Sequence, residues 1–180
     1  EAAYMWQLLA RRFGTNILPD CSNMCHESSG VALNESIGIG KGTVKLDDFE
    51  KSDLIIVVGQ NPGTNHPRML TALRDAKRSG SSVVSINPLI ETGMMRFKHP
   101  QNPLEVLGYG TEISDEHVRV RVNGDQALFR GFAKVIVEGS HENKEFINQF
   151  TDGYDDYENH VRNTTWEQIC ELSGVDRDEI

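Results

Sequence analysis

The chain has 180 residues, 38% of them hydrophobic and 25% charged, which is enough apolar material for one globular core. Its formal net charge of −9 at pH 7 disfavours a surface that follows nucleic-acid phosphates or anionic lipid. The apolar run at residues 54–58 is far shorter than the ~20 residues that a bilayer span needs. We therefore expect a protein that binds neither nucleic acid nor membrane.

The cysteine count and the first residues bear on compartment and domain organisation. Cys21, Cys25 and Cys170 cannot all pair, and a chain of this size needs no disulfides, so we expect a reducing, cytoplasmic setting. The chain opens in mid-pattern without an N-cap residue. We expect an internal domain of a longer subunit, with residues 1–20 as a helix and linker from the preceding domain and residues 21–180 as the domain itself.

The first 42 residues mix helical and irregular patterns. Apolar residues at helical spacing predict a helix that ends at Gly14. Residues 14–30 are rich in turn formers, yet they hold two cysteines, a histidine and two acids. A short helix over residues 31–37 and a flexible glycine loop over residues 38–42 are predicted to follow.

The middle of the chain predicts the fold class. Residues 54–58 are apolar on both faces, as in a strand of a parallel sheet with helices on both sides. Pro67 suits the start of a helix and Gly80 its end, and residues 82–86 predict the next strand. This strand–helix–strand unit predicts an α/β fold, a three-layer, Rossmann-like domain with a mostly parallel sheet.

The rest of the chain predicts an insertion, a third strand and further helices. Residues 89–116 are loop-like, and residues 118–122 alternate as in a strand at a sheet edge. Asp125 is predicted to cap a helix over residues 126–137. Two more helical segments are predicted over residues 144–150 and 165–172.

Each predicted strand is followed by a polar turn, and in a parallel sheet such turns meet at the carboxyl edge, where ligands bind. Amide groups at the start of the helix from Pro67 favour an anion such as pyrophosphate. Gly63 would allow close backbone approach, and Asn87 would face a nucleotide sugar or base. Phosphate or sugar could be bound by Asn61, Thr64 and Asn65. The same residue types also serve any strand-to-helix turn, and both interpretations stay open here.

Two common nucleotide motifs are missing. The glycine cluster at residues 38–42 precedes the strand instead of following it, and residues 59–63 lack the G-x-G-x-x-G spacing. Lys41 is followed by Gly42, so there is no phosphate-binding G-x-x-x-x-G-K-[ST] loop. Ordinary NAD binding and nucleotide triphosphate hydrolysis are therefore disfavoured.

The Cys25–His26 pair has several chemical interpretations. A thiolate beside an imidazole can ligate a soft metal with an open coordination position while the histidine handles protons. A structural zinc site would need a second cysteine pair, and Cys21 is separated from Cys25 by three residues rather than the two of a redox pair. A buried, inert Cys25 is the remaining alternative.

Four motifs in order along the chain carry a resemblance to a known family. They are residues 21–26 (CSNMCH), 54–67 (LIIVVGQNPGTNHP), 86–88 (INP) and 124–128 (GDQAL). With them the chain resembles the molybdopterin oxidoreductases of the formate dehydrogenase and DMSO reductase superfamily, and the formate-dehydrogenase-like alpha subunits in particular.

The resemblance implies a dinucleotide-fold domain that holds one guanosine end of a bis-molybdopterin guanine dinucleotide (bis-MGD). Cys25 matches the ligand of molybdenum or tungsten, and His26 matches a neighbouring proton shuttle. Implied cofactor contacts are Gly59, Asn61, Gly63, Thr64, Asn65, Asn87, Gly124, Asp125 and Gln126. The remaining domains of the parent subunit would complete the site, an iron–sulfur cluster would be bound outside this segment, and an electron-transfer partner is implied.

One departure from the family bears on substrate. Glu27 and Ser28 follow the Cys–His pair where formate dehydrogenases tend to have Gly-Pro, so the resemblance does not assign formate as the substrate. Two further hypotheses stay open on the sequence. One is a non-catalytic nucleotide-binding module, and the other is a thiol redox protein that uses Cys21 and Cys25.

Overall fold

The computed structural model describes residues 2–18 and 23–180. The chain divides into two compact units, residues 1–45 and residues 46–180. The expected domain boundary after residue 20 stays a prediction. No helix within the described ranges is long and apolar enough to span a bilayer.

The first unit consists of helices without a buried core in its described part. Helix α1 covers Ala2–Arg12, as predicted. A π-helical turn, Asn23–Glu27, runs directly into α2, Ser28–Ile37, so this helix begins earlier than predicted. The glycine loop that follows folds back on α2, because a Cβ on Gly40 would lie 2.9 Å from the carbonyl oxygen of Gly30.

The second unit is built on a parallel sheet. A 3-10 turn, Leu46–Lys51, leads into β1, Leu54–Val58, which pairs with β2, Ser82–Ile86. Strand β5, Glu116–Val118, pairs with the other side of β2, which gives the order β1-β2-β5 with all strands parallel. The first two strands and the parallel sheet confirm the prediction.

The third strand of the sheet, β5, lies earlier in the chain than the strand predicted over residues 118–122. Only Val118 is shared between the predicted strand and β5. Beyond it the chain leaves the sheet, because the Arg121 N–H donates to the Ser173 carbonyl (2.8 Å) and Val120 is 2% exposed in a core cluster with Leu128. The alternating pattern therefore reflects packing against the end of the chain and not sheet pairing.

Helices cover both faces of the sheet and give three layers. Helix α4, Pro67–Ser79, packs Leu70, Leu73 and Ala76 against one face, and Gly80 ends it with a φ of 106°. Helix α7, Asp125–Glu138, packs Leu128 in a cluster on the other face. The three-layer α/β prediction is confirmed.

Strand β1 is covered on one face only, which corrects the expectation that helices flank it on both sides. Ile55 and Val57 are buried against α4, whereas Leu54 is 53% and Ile56 41% exposed. Val58 is the β1 residue that packs against the α7 cluster, which is built mainly on the ends of β2 and β5.

The predicted loop over residues 89–116 contains short elements. They are α5 (Thr92–Met95), β3 (Arg96–Phe97), α6 (Pro103–Leu107) and β4 (Thr111–Glu112), and β3 pairs with β4 in an antiparallel ladder. Glu105 joins this insertion to α4, since its carboxylate accepts hydrogen bonds from Arg74 (3.2 Å) and Arg78 (2.7 Å). The hydrogen bond from the His99 N–H, and after it the bonds from the two arginines, hold the pKa of Glu105 below its usual value.

Four more helices complete the second unit. Helix α3, Pro62–Asn65, lies inside the predicted turn after β1. Helices α8 (Lys144–Phe150) and α10 (Trp166–Ser173) follow the predictions closely, and α9 (Tyr154–Asn163) lies in an acidic segment where no helix is predicted.

Candidate functional site

The three parallel strands end side by side, which places the turns after them along one edge of the sheet. Val58, Ile86 and Val118 are register partners at this end. The Gly59 N–H donates to the Ile86 carbonyl (2.9 Å), and the Asn87 N–H donates to the Val118 carbonyl (3.1 Å). The strand order does not reverse in the described residues, so the turns follow one another along the edge instead of surrounding a switch point.

Asn61 organises the turn after β1. It is the N-cap of α3, and its side-chain Oδ1 accepts from the Thr64 N–H (3.2 Å). Its Nδ2 donates to Oε2 of Glu91 in the turn after β2, at 2.6 Å. Asn61 is predicted to contact the cofactor. Its side chain already forms hydrogen bonds within its own turn and to the turn after β2, and these bonds hold the two turns together.

The backbones of the same two turns touch at a pair of glycines. A Cβ on Gly63 would lie 3.3 Å from the Cα of Gly93, and a Cβ on Gly93 would lie 3.0 Å from the Cα of Gly63. The close approach expected at Gly63 is thus made by the neighbouring turn. Gly59 has a φ of 64° with open space around it, so glycine is needed there for its conformation.

Amide groups near the start of α4 are largely occupied. The Thr64 and Asn65 N–H groups donate to the Asn61 carbonyl, and the His66 N–H donates to the Pro62 carbonyl (2.9 Å). The Met69 N–H donates to the His66 carbonyl at 2.8 Å. These four amides are not available to an anion, although the sequence favours a pyrophosphate at this helix start.

Asn87 also joins the first two turns. It is 7% exposed, its Oδ1 accepts from the Leu89 N–H (3.2 Å) and its Nδ2 donates to the Gln60 carbonyl (3.4 Å). Asn87 is therefore placed at the predicted edge with its side chain engaged in holding the turns. Its contact with a nucleotide stays a prediction.

The third turn is organised around Gly124. A Cβ on Gly124 would lie 2.8 Å from the Leu172 carbonyl oxygen, so only glycine fits against the end of α10. Gly124 itself is the N-cap of α7 and no side chain caps this helix, which corrects the prediction that Asp125 does so. Gln126 is exposed and Asp125 half-buried. Within residues 46–180 no hydrogen bond joins Gly124, Asp125 or Gln126 to the turns after β1 and β2.

Cys25 and His26 lie in the π-helical turn before α2, and both are exposed. Such turns are rare and are often found at functional sites. Among the described residues Cys25 and Cys170 are free thiols, while Cys21 lies outside the described residues. Within those residues no group of three or more His, Cys, Asp and Glu side chains could hold a metal ion. A ligand role for Cys25 stays a prediction.

A cleft that the sequence does not indicate lies between the first two turns. We call it the Glu91 cleft; it has a volume of about 300 Å³ and is lined by Asn61, Gly63, Thr64, Glu91, Thr92 and Gly93. Glu91 is its one charged lining residue. No local pattern singles out Glu91, because its hydrogen-bond partner is 30 residues away in sequence.

Comparison with known proteins identifies the family of this chain. A sequence model described as molybdopterin oxidoreductase matches residues 1–172. An uncharacterized oxidoreductase of Mycobacterium tuberculosis (strain H37Rv) is 48% identical over 182 residues, which cover 98% of this chain and 23% of that protein. Formate dehydrogenase H of Escherichia coli (strain K12) is 28% identical over 182 residues, which cover 100% of this chain and 23% of that protein.

A solved structure supports the fold. Acetylene hydratase from Pelobacter acetylenicus matches with a TM-score of 0.67 at 20% sequence identity, over 89% of this chain and 19% of that chain. The chain spans about a quarter of the length of the curated relatives named above. Since the family match extends over residues 1–172, the chain belongs to the molybdopterin oxidoreductase family.

Proposed function

We propose that this chain is the part of a molybdopterin-dependent oxidoreductase that holds one guanosine end of bis-MGD and supplies Cys25 as a ligand to molybdenum or tungsten. The family match over residues 1–172 is the observation that carries the proposal. Because the chain spans about a quarter of its relatives, the activity is proposed for the full-length protein.

The side chains at the sheet edge fit a nucleotide. Amide, hydroxyl and carboxylate groups line the Glu91 cleft, and such groups bind base edges and sugar hydroxyls. The fit to pyrophosphate is poorer, because no lysine or arginine lines this cleft and the neighbouring amides are engaged. The cleft therefore supports a proposal for the nucleoside part of the cofactor more than for its phosphates.

The Cys25 thiol fits a soft metal. A thiolate is a soft donor, and the exposure of Cys25 leaves its sulfur accessible. When bound, the cofactor supplies two-electron redox chemistry at its metal. The chain's own contribution would be to ligate through Cys25 and to hold a proton at the imidazole of His26.

Other parts of the proposal concern the rest of the protein. We propose that the remaining domains of the parent subunit complete the cofactor site and that an iron–sulfur cluster bound outside residues 1–180 passes electrons to a partner in a cytoplasmic setting. Glu27 and Ser28 after the Cys–His pair favour a substrate other than formate. The greater identity to an uncharacterized oxidoreductase (48%) than to formate dehydrogenase H (28%) agrees with this.

The test uses the full-length protein, produced in a host that inserts the cofactor. We expect about one molybdenum or tungsten per subunit by elemental mass spectrometry. X-ray absorption should show one sulfur neighbour of the metal replaced by a lighter atom in Cys25→Ser and no change in the matched control Cys170→Ser.

Two results would contradict the proposal at different levels. Metal-free protein without pterin would favour a non-catalytic nucleotide-binding module. A metal-loaded Cys25→Ser variant with an unchanged absorption spectrum would remove the ligand role while leaving the enzyme class intact.

A further inference from the structure

The insertion between β2 and β5 carries three large side chains that face water in the described structure. Leu104 is 83% exposed, Leu107 is 88% exposed and Tyr109 is 84% exposed. The two leucines are three residues apart on α6, so their side chains lie on the same side of this helix. We call these three residues the Leu104 ridge. Single exposed apolar residues are common in proteins, but a group of them marks an interaction surface.

The opposite side of α6 is held by a buried carboxylate. Glu105 is 7% exposed, and its Oε1 accepts hydrogen bonds from Arg74 and Arg78 of α4. Its Oε2 accepts from the His99 N–H at 3.0 Å. These bonds fix the short helix to α4 with its apolar side turned outward. The exposure of the ridge therefore belongs to a well-anchored element and not to a loose loop.

Tyr109 is also held in place. The guanidinium group of Arg96 lies 5.8 Å from the centroid of the Tyr109 ring, within the range of a cation–π contact. The next residue, Gly110, has a φ of 74°, and a Cβ there would lie 2.5 Å from the Phe97 carbonyl oxygen. The chain after Tyr109 thus passes close against β3. A surface that is ordered before it docks loses little conformational entropy on docking.

The length of the relatives indicates what covers the ridge. The matched region covers 23% of the Mycobacterium tuberculosis oxidoreductase and 23% of formate dehydrogenase H, so about three quarters of each relative lies outside it. Domains of one polypeptide meet at a high effective concentration, whereas a separate chain must also overcome the entropy cost of association. The remaining polypeptide is therefore the favoured occupant of an ordered apolar surface on this domain.

We propose that the Leu104 ridge is an interdomain contact of the full-length protein, which docks into an apolar groove on the part of the same polypeptide outside residues 1–180. Leu104 and Leu107 would fill the groove. The Tyr109 ring would lie at its rim, where the hydroxyl group can reach a polar partner. The inference depends on no cofactor or metal: metal-free protein that shows this contact would contradict the proposed function and leave the inference standing.

The first experiment places a photoreactive group on the ridge of the full-length protein. Tyr109→benzoylphenylalanine keeps an aromatic side chain at this position, and on irradiation it bonds to nearby C–H groups. The cross-linked peptides are identified by mass spectrometry at several protein concentrations. We expect cross-links to peptides outside residues 1–180 of the same polypeptide, with a yield that does not change with concentration. Tyr157→benzoylphenylalanine, at an exposed position of α9, is the matched control and should not label the same peptides.

Three results of the cross-linking would overturn the proposal. Cross-links confined to residues 1–180 would show that no other part of the polypeptide covers the ridge. Cross-links between two polypeptides, with a yield that rises with concentration, would identify a second copy as the occupant. Absence of any cross-link in the purified protein would leave the ridge in water or open to a separate partner.

A second experiment measures whether the contact holds the domains together. Leu107 faces water within residues 1–180, so Leu107→Asp should leave the fold of this domain intact, but it would put a carboxylate into the apolar groove. We expect limited proteolysis of the full-length protein between its domains to become at least about tenfold faster.

The matched control for this variant is Gln101→Asp. It adds the same charge at an exposed position of the same insertion, outside the ridge, and should leave the proteolysis rate unchanged. Equal rates for Leu107→Asp and the wild type would overturn the proposal. If Leu107→Asp does not fold, the cross-links from position 109 decide.

Discussion

The second unit, residues 46–180, holds its candidate site on a buried sheet, whereas the described part of residues 1–45 holds Cys25 and His26 on helices without a buried residue. In the second unit two hydrogen bonds, from Asn61 to Glu91 and from Asn87 to the Gln60 carbonyl, join the turns after β1 and β2. In the first unit the residues that the structure describes form no comparable core around the exposed Cys25 thiol. Preorganisation therefore differs between two regions of one chain, and substitutions should reveal the difference.

The largest effect is expected in the core of the second unit. Leu73 on α4 is 0% exposed and packs in the cluster with Val57 and Val83. Leu73→Ala should lower the free energy of unfolding by about 2–5 kcal/mol, since it removes buried methyl groups and leaves a cavity. Urea unfolding followed by circular dichroism measures this. A loss below about 1 kcal/mol would show that the sheet is not the main source of stability.

A glycine substitution compares the two units directly. Gly124→Ala places a Cβ 2.8 Å from the Leu172 carbonyl oxygen, and we expect a loss of about 1–3 kcal/mol from this overpacking. Gly42→Ala is the matched control in the first unit, because a Cβ there meets nothing within 4 Å. It should change stability by no more than about 1 kcal/mol. Equal losses at both positions would remove the contrast.

The lowered pKa of Asp115 makes the free energy of unfolding depend on pH. Its pKa is held below the usual value, first by the hydrogen bond from Lys77 and then by the Val83 N–H at 2.7 Å. Because the folded-state pKa is lowered, this contribution is present above the unfolded-state pKa of about 3.9 and is lost as pH falls through the folded-state value.

Asp115→Asn should accordingly reduce stability at pH 7 and have less effect at pH 2, as measured by thermal unfolding across pH. Asp152→Asn, at an exposed position, is the control and should leave the pH profile unchanged. A difference between wild type and Asp115→Asn that stays constant with pH would contradict the assignment.

The smallest effect is expected in α1. Trp6 is 62% exposed. Trp6→Ala in the 180-residue chain should change the free energy of unfolding by less than about 0.5 kcal/mol, as substitutions of exposed residues usually do. Urea unfolding monitored by circular dichroism measures it. A loss of 2 kcal/mol or more would show that α1 packs against a core.

Local signals explain what could be predicted from the sequence. Pro67 and Gly80 mark the ends of α4, and the apolar runs of β1 and β2 stand between polar turns, so these elements are predicted at their observed positions. The prediction of a strand over residues 118–122 is wrong beyond Val118, because the hydrogen bond between Arg121 and Ser173 joins distant parts of the chain. Long-range pairing of this kind leaves no local pattern.

In the candidate site, too, local features can be predicted from the sequence and long-range hydrogen bonds cannot. Polar residues after each strand indicate the carboxyl edge of the sheet. The sequence does not indicate that the Asn61 side chain donates to Glu91 or that the Asn87 side chain donates to the Gln60 carbonyl. For the same reason no local pattern in the sequence points to Glu91. The neighbouring His26 and the family resemblance point to Cys25, and its role as a ligand stays a prediction.

The contact between Gly63 and Gly93 separates the dimensions of the cleft from its chemistry. Because the backbones of Gly63 and Gly93 touch, the distance between the two turns depends on the spacing of the strands and not on the volume of a side chain. The residue at position 91 therefore sets the charge of the cleft, while the glycine contact keeps the two backbones close to each other.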